Sequence, residues 1–217
     1  MNKYHNIFAK TITIIFVFSA SATAQNYRPA TPEQQKEMIQ NITAASEQMK
    51  TLRCDFVQKN TISILADEMV SEGKLSYRQT DKLCWEYTKP YHYRFTLNGD
   101  KIMIVSEKDK NIIDTNSSKI FKEISKLIVL GISGAGIFSE DRFIPKFNVG
   151  TQDYQVVLTP KQKELKQMFS SITVTFSKTD YTVNTVEIKE LSNDITTITI
   201  KNKQINSDLN DEIFAIR

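Results

Sequence analysis

The sequence predicts an α+β fold in which about ten antiparallel strands form one sheet and two main helices pack against it. Apolar and polar residues alternate over many short segments, which is typical of half-buried strands. The connections between these segments are short, and parallel crossovers would need a dozen residues or more. Two further segments carry apolar residues at helical spacing.

The first predicted helix begins at Thr31, where Thr31-Pro32-Glu33-Gln34 has the spacing of a capping box with proline at the first helical position. Apolar residues then recur at steps of four and three and give one stripe, which we expect to lie on the sheet: Met38, Ile42, Ala45, Met49 and Leu52. The second helix is predicted over 118–130 from Ile120, Phe121, Ile124, Leu127 and Ile128, with Gly131 placed to end it.

Strands are predicted from two-residue alternation and turn residues. Their ranges are 53–62, 69–78, 82–87, 91–97, 101–106, 143–149, 154–158, 171–177, 181–191 and 195–201. The segment 131–138, GISGAGIF, contains Gly131, Gly134 and Gly136. It can act as a hinge or lid, or form a tight buried turn, and the residues favour neither interpretation.

The first 24 residues have the layout of a cleavable secretory signal peptide. Lys3 and Lys10 give a positive start, residues 11–22 are mostly apolar, and Ala22-Thr23-Ala24 is a small-x-small cleavage site. The apolar run is shorter than the roughly 20 residues of a membrane span. We therefore expect an exported protein whose single domain covers residues 25–217.

The charge balance argues against a nucleic-acid partner. The chain has 28 Lys and Arg against 25 Asp and Glu, and the signal peptide carries two of the basic residues and no acidic one. The expected mature chain is therefore nearly neutral. Nucleic-acid-binding domains present a clustered basic face, and no dense block of Lys and Arg occurs here.

The two cysteines are predicted to stay unpaired, although an oxidising compartment permits disulfides. Cys54 shares its parity with Phe56, whereas Cys84 has the parity opposite to Leu83 and Trp85. If Phe56 and Trp85 both face inward, the two thiols point to opposite sides of the sheet.

Metal, cofactor and enzyme chemistry are not expected. His92 is the only histidine beyond the signal peptide, and no Cys-x-x-Cys pair occurs. The glycines match neither the dinucleotide nor the P-loop pattern. His92 is predicted on the polar face of a strand, where a surface histidine is the simpler interpretation than a Ser-His-Asp site.

Several short motifs occur in one order along the chain, with Phe214 close to its end. They are DFVQ at 55–58, SEGKLSY at 71–77, LCWEYTKP at 83–90, NGDKIMI at 98–104, VVLTPKQ at 156–162, FSSITVTF at 169–176 and NDITTITIKNKQIN at 193–206. In this order and spacing, the chain resembles the outer-membrane lipoprotein carrier family, LolA. The resemblance covers nearly all of the expected mature chain.

The resemblance implies an unclosed antiparallel half-barrel whose concave apolar face is covered by helices. It also implies a periplasmic protein that binds the acyl chains of lipoproteins and needs no cofactor. An ATP-binding-cassette complex of the inner membrane would release the lipoprotein, and an outer-membrane acceptor would receive it. We expect the carrier to be a monomer.

Position and parity then give the candidate acyl-chain-binding residues, for which ordinary core packing is the alternative. From the strands they are Phe56, Leu75, Tyr77, Leu83, Trp85, Tyr87, Tyr93, Phe95, Ile172, Val174 and Phe176. From the helical cover they are Met38, Ile42, Met49, Leu52, Ile124, Leu127 and Ile128.

One departure from the family concerns the loop before the tryptophan. Family members place Arg followed by Pro six residues before it, where this chain has Gln79 and Thr80. Arg78 is the nearest candidate transfer residue, but its parity is opposite to that of Tyr77. The departure puts the transfer step and the usual cargo in question. The other functions considered are a lipid-sensing regulatory module on the same half-barrel and an esterase built on His92.

Overall fold

The computed structural model describes residues 26–64, 68–117, 131, 132, 134, 136, 138 and 141–217. Within these residues, twelve strands form one antiparallel sheet. The strands are β1 (Arg28–Pro29), β2 (Thr51–Thr61), β3 (Glu68–Arg78), β4 (Lys82–Lys89), β5 (Tyr93–Asn98), β6 (Lys101–Ser106), β7 (Lys110–Asp114), β8 (Phe143–Val149), β9 (Asp153–Pro160), β10 (Phe169–Ser177), β11 (Val183–Glu190) and β12 (Ile195–Ile205). The helices are α1 (Pro32–Gln48), α2 (Lys163–Lys166) and the 3₁₀ helices Thr115–Ser117 and Asp211–Phe214.

The strand order across the sheet is β1-β8-β9-β10-β11-β12-β2-β3-β4-β5-β6-β7, and β1 and β7 are its two edges. In the described part of the chain, this is an open sheet with few helices, as in a LolA-like half-barrel. The prediction of about ten strands is corrected to twelve because β1 and β7 were missed. β1 has only two residues, and β7 places Ile112 and Ile113 side by side, so neither shows two-residue alternation.

Helix α1 begins as predicted but ends earlier. The Gln34 amide donates to Thr31 Oγ1 at 3.3 Å, and the Thr31 amide donates to Gln34 Oε1 at 3.1 Å, which completes the capping box. Met49 is extended rather than helical, and Leu52 belongs to β2. Their placement on a helix was therefore wrong. The helical spacing of apolar residues was misleading here because both side chains still point into the core.

One face of the sheet carries the apolar core, and we call it the inner face. Pairing aligns Leu52 with Tyr77 and Tyr77 with Leu83, so neighbouring apolar side chains project to the same side. The core has two parts. Met38 and Ile42 of α1 pack with inner-face residues of β8–β11, whereas Met49 packs with those of β2–β6 and β12.

Both cysteines are free, as predicted. Cys54 lies on the inner face, whereas Cys84 packs on the opposite, outer face against Leu209 and Phe214. The Arg94 Nε group donates to Cys84 Sγ at 3.1 Å. The sheet therefore separates the two thiols, which is the consequence of their opposite parity.

Two sets of predictions lie outside the described residues. They are the signal peptide at 1–24 and the second helix with Ile120, Phe121, Ile124, Leu127 and Ile128. Gly131 and Ile132 have helical backbone, so the prediction that Gly131 ends a helix was wrong. Of the helices that the structure describes, none combines the length and apolar character needed to cross a membrane. Cover of the inner face by two helices stays a prediction.

Candidate functional site

An apolar cavity of about 550 Å³ lies on the inner face of the sheet. Its walls come from β2–β4 and β8–β12, with Met168 and the pair Gly131 and Ile132 completing them. Among the lining residues, only Glu190 is charged. The volume falls in the range of about 300–1,000 Å³ that is typical of small-molecule sites. The walls can exclude water from an apolar ligand.

Five of the candidate acyl-chain-binding residues line this cavity: Leu52, Leu75, Trp85, Ile172 and Val174. Other candidates lie on the inner face or on α1 without lining it, because they pack against one another as core. These are Phe56, Tyr77, Leu83, Tyr87, Phe95, Phe176, Met38, Ile42 and, directly after α1, Met49. Tyr93 also lies on the inner face without lining the cavity, but it is exposed. Ile124, Leu127 and Ile128 lie outside the described residues.

An aromatic cluster supports the cavity wall at Trp85. The ring centroid of Phe56 lies 4.8 Å from that of Trp85 and 5.2 Å from that of Tyr87. Gly73 makes room for the Phe56 ring, since a β-carbon at Gly73 would lie 2.6 Å from Phe56 Cε1. Because Phe56 is fully buried, it holds Trp85 in position and does not face the cavity itself.

Tyr87 ends this cluster with a polar contact. Its hydroxyl donates to Gln58 Oε1 at 2.7 Å. Burial raises the pKa of the Tyr87 hydroxyl, so the group stays neutral and keeps its proton for this hydrogen bond. Tyr93 packs edge-on against Tyr87 with centroids 6.0 Å apart and is the most exposed aromatic residue of the group.

Sequence reasoning missed most of the cavity wall. The missed lining residues are Ile132, Phe143, Leu158, Met168, Phe169, Val183, Val186, Ile188, Glu190, Ile198 and Ile200. Two-residue alternation in β11 and β12 was a usable signal for Val186, Ile188, Ile198 and Ile200. Met168 and Ile132 come from outside the strands, where alternation gives no guidance.

The glycine-rich segment contacts both the sheet and α1 at Gly134. A β-carbon there would lie 3.0 Å from Phe176 Cε1 and 3.3 Å from Ile42 Cγ2. Gly134 and Gly136 have φ angles of 76° and 69°, which favour glycine. Gly131 instead lines the cavity. The hinge assigned to these three glycines stays a prediction.

Arg78 lies on the outer face and binds the C-terminal segment. Its guanidinium donates to the Leu209 carbonyl oxygen, lies 3.2 Å from an Asp211 carboxylate oxygen and stands 5.9 Å from the centre of the Phe214 ring. These contacts explain its placement structurally. Its assignment as the transfer residue stays a prediction.

His92 is exposed in the turn between β4 and β5 and not on a strand, which corrects its predicted placement. β5 starts at Tyr93 because the Pro90 turn occupies the residues before it. Across the described part of the chain, no group of three or more His, Cys, Asp or Glu side chains is arranged to hold a metal ion.

Comparisons with known proteins identify the family of this chain. The family model described as "Outer membrane lipoprotein carrier protein LolA" matches residues 47–217. No curated protein matches the sequence. An uncharacterized conserved protein from Thermus thermophilus is 7% identical, with 83% of this chain and 91% of that chain covered and a TM-score of 0.52.

The complex structure of Pseudomonas aeruginosa MucA/MucB gives 7% identity, 82% and 60% coverage and a TM-score of 0.52. Mycobacterium tuberculosis lipoprotein LppX gives 10% identity, 83% and 99% coverage and a TM-score of 0.46. At 7% identity, the two structures with a TM-score of 0.52 are evidence for the fold alone. The family match extends from the end of α1 to the last residue, and the chain therefore belongs to the LolA family.

Proposed function

We propose that this protein is a periplasmic carrier that binds lipoprotein acyl chains in the inner-face cavity and transports lipoproteins from the inner to the outer membrane. The apolar cavity of about 550 Å³ is the observation that carries the proposal. Family membership supports it. An inner-membrane ATP-binding-cassette complex would load the carrier, and an outer-membrane acceptor would unload it.

Transfer energetics explain why such cargo needs a container. Each buried CH₂ group contributes about 0.8 kcal/mol, so exposing one chain of about 16 carbons costs roughly 12 kcal/mol. A lipoprotein with two or three chains therefore does not cross water unprotected. The cavity supplies apolar walls from eight strands, and a cover that opens with only a modest free-energy difference would permit release.

The walls accommodate a flexible chain without recognising a particular headgroup. Branched aliphatic side chains dominate β10–β12, and Met168 adds an adaptable side chain at one end. Glu190 is the one lining residue with a charge, and it is exposed. The cargo is therefore held by its acyl chains, and affinity follows the apolar area that the chains bury.

Filling the cavity tests the proposal directly. Val186 lines the cavity, and Glu187, the next residue on β11, points to the outer face. We expect Val186→Trp to weaken uptake of an apolar fluorescent probe by about tenfold, which corresponds to roughly 1.4 kcal/mol. Glu187→Trp is the matched control and should bind the probe as the wild type does.

Mass spectrometry of gently purified protein provides the second measurement. Co-purified lipoprotein that is lost from Val186→Trp and kept by Glu187→Trp supports the carrier. A wild-type protein that carries no lipid and also ignores the apolar probe would refute it.

The second candidate is a lipid-sensing envelope module without delivery. The observation in its favour is the fold shared with the MucA/MucB structure, a complex between two proteins. A carrier releases bound lipoprotein to outer-membrane vesicles that hold an acceptor, whereas a sensor keeps it. Measuring that release over time separates the two functions.

A further inference from the structure

The antiparallel sheet has two ends, and one of them, which we call the rim, collects exposed apolar side chains. The rim consists of residues 61–64, 68–70, 89–93, 106–110, 143–144, 161–169 and 190–195, which are the strand ends and turns on one side of the sheet. Because neighbouring strands are antiparallel, successive turns along the chain lie at alternate ends of the sheet. Strand direction alone therefore assigns these segments to the same end.

Ten large apolar side chains are exposed among the described residues, and eight of them belong to the rim. The eight are Ile64, Met69, Val70, Tyr91, Tyr93, Ile144, Met168 and Leu191. The most exposed are Ile64 at 89%, Tyr91 at 70% and Leu191 at 59%. The remaining two, Ile112 and Ile205, lie elsewhere. Such concentration at one end marks an interaction surface.

The cavity reaches the rim. Met168 and Glu190 line the cavity and are both exposed, and Phe169 pairs with Glu190 at the end of the sheet. A chain leaving the cavity at this end therefore meets the exposed apolar side chains and not open water.

A basic segment borders the same opening. Lys161, Lys163 and Lys166 are exposed, with Glu164 as the acidic residue between them. Leu165 is buried and fixes this short segment to the core cluster. The segment therefore presents a net positive charge beside Met168, which suits an anionic lipid surface. Elsewhere the rim carries more acidic than basic side chains, so the positive charge is local to this segment.

We propose that the rim docks onto the surface of an anionic lipid bilayer, with Ile64, Tyr91 and Leu191 entering the interface. These three side chains stand on three separate turns. Separate protruding anchors can each enter a fluid interface, whereas a protein partner would require one contiguous surface. Tyrosine suits the boundary between headgroups and acyl chains.

The consequence for the cargo rests on the proposed function. If acyl chains occupy the cavity, docking at the rim would let them pass between bilayer and cavity without crossing water. Membrane docking itself depends only on the rim residues, so the two ideas can fail separately.

Vesicle binding tests the proposal with matched variants. The protein purified from cells is mixed with vesicles of phosphatidylethanolamine containing a quarter phosphatidylglycerol, or with phosphatidylcholine vesicles, and sedimented. We expect Ile64→Ser, Tyr91→Ser and Leu191→Ser combined to weaken binding to the anionic vesicles by about tenfold, because binding scales with inserted apolar area. The control combines Ile112→Ser and Ile205→Ser and should bind as the wild type does.

The electrostatic part has its own test. Lys163→Glu with Lys166→Glu should weaken binding to the anionic vesicles, and rising salt should weaken wild-type binding in the same way. A wild-type protein that ignores both kinds of vesicle would overturn the proposal. Equal loss in the rim and control variants would overturn it as well, as would rim variants that lose only binding to a protein.

Apolar-probe uptake distinguishes the two ideas, because Ile64, Tyr91 and Leu191 do not line the cavity. Vesicle binding without probe uptake leaves the rim proposal standing and removes the carrier. Probe uptake without vesicle binding does the reverse.

Discussion

Gly73 permits the closest packing on the inner face, and Gly73→Ala should therefore be strongly destabilising. The alanine β-carbon would lie 2.6 Å from Phe56 Cε1 and closer still to the Glu86 carbonyl oxygen. The ring can shift, but the carbonyl belongs to the β3–β4 ladder and cannot rotate away. Overpacking costs about 1–3 kcal/mol of stability, and the backbone clash puts the loss for this variant at the upper end, about 3 kcal/mol.

Urea unfolding followed by the fluorescence of Trp85 measures this loss in the free energy of unfolding, since Trp85 is the only tryptophan and contacts Phe56. Thermal unfolding can be followed by the same fluorescence. The melting temperature should fall by about 6–12 °C, at roughly 2–4 °C per kcal/mol for a domain of this size. Apolar-probe uptake should weaken too, because Phe56 supports the cavity wall at Trp85.

Gly131→Ala is the matched control, because its β-carbon would meet nothing within 4 Å and its backbone is helical. We expect this variant to be unchanged or more stable by up to about 1 kcal/mol. In the Gly73→Ala background, Phe56→Leu should recover only part of the loss, because the Glu86 carbonyl oxygen stays in place. A loss below about 0.5 kcal/mol for Gly73→Ala would refute the packing argument.

Three further predictions concern the Arg78 guanidinium, the buried Cys54 thiol and the Asp180 carboxylate. Arg78→Ala should lower the free energy of unfolding by about 1.5–3 kcal/mol and make the C-terminal 3₁₀ helix sensitive to proteases, because a charged hydrogen bond and an ion pair are lost. Cys54 should resist a thiol-reactive dye at pH 8 until urea unfolds the protein, since burial raises its pKa to about 12. For Asp180, burial pushes the pKa up, but hydrogen bonds from Thr182 and the Lys203 ammonium outweigh it and lower the pKa below 3.8. The carboxylate therefore stabilises the fold above pH 3.8, and this contribution is lost as the pH falls through the lowered pKa. Urea titrations should show Asp180→Asn differing from the wild type at pH 7 and converging with it as the pH falls below 3.8.

Each of these three predictions has a control variant or an outcome that would contradict it. Arg217→Ala removes an exposed ion pair with Glu212 and should change stability by only about 0–1 kcal/mol. Cys84→Ser isolates the Cys54 signal, and rapid labelling of the folded variant would contradict the burial argument. A stability difference for Asp180→Asn that is independent of pH would contradict the assigned ionisation.

Local patterns predicted the elements that repeat a simple period. The capping box at Thr31 and Gln34 predicted the start of α1, and two-residue alternation placed Leu75, Trp85 and Val174 on one face. The same alternation correctly separated Cys54 from Cys84. The end of α1 was wrong because Met49 and Leu52 continue the helical rhythm although β2 has already begun.

The position of the cavity depended on contacts between distant parts of the chain. β12 pairs with β2, so Ile200 stands beside Phe56, and nothing near either residue encodes that neighbour. The cavity consequently centres on β10–β12, and the aromatic residues of β4 and β5 serve mostly as core.

The sequence by itself determined the alternation of side chains, the helix start, the separation of the thiols and the resemblance to the LolA family. These properties depend on chemistry within a few residues or on the order of motifs. Only the tertiary structure decided which inner-face residues line a cavity, that Arg78 binds the C-terminal segment and that eight exposed apolar side chains share one end. Alternation tells which face a side chain takes, whereas strand order and close packing decide whether that face meets another side chain or a cavity.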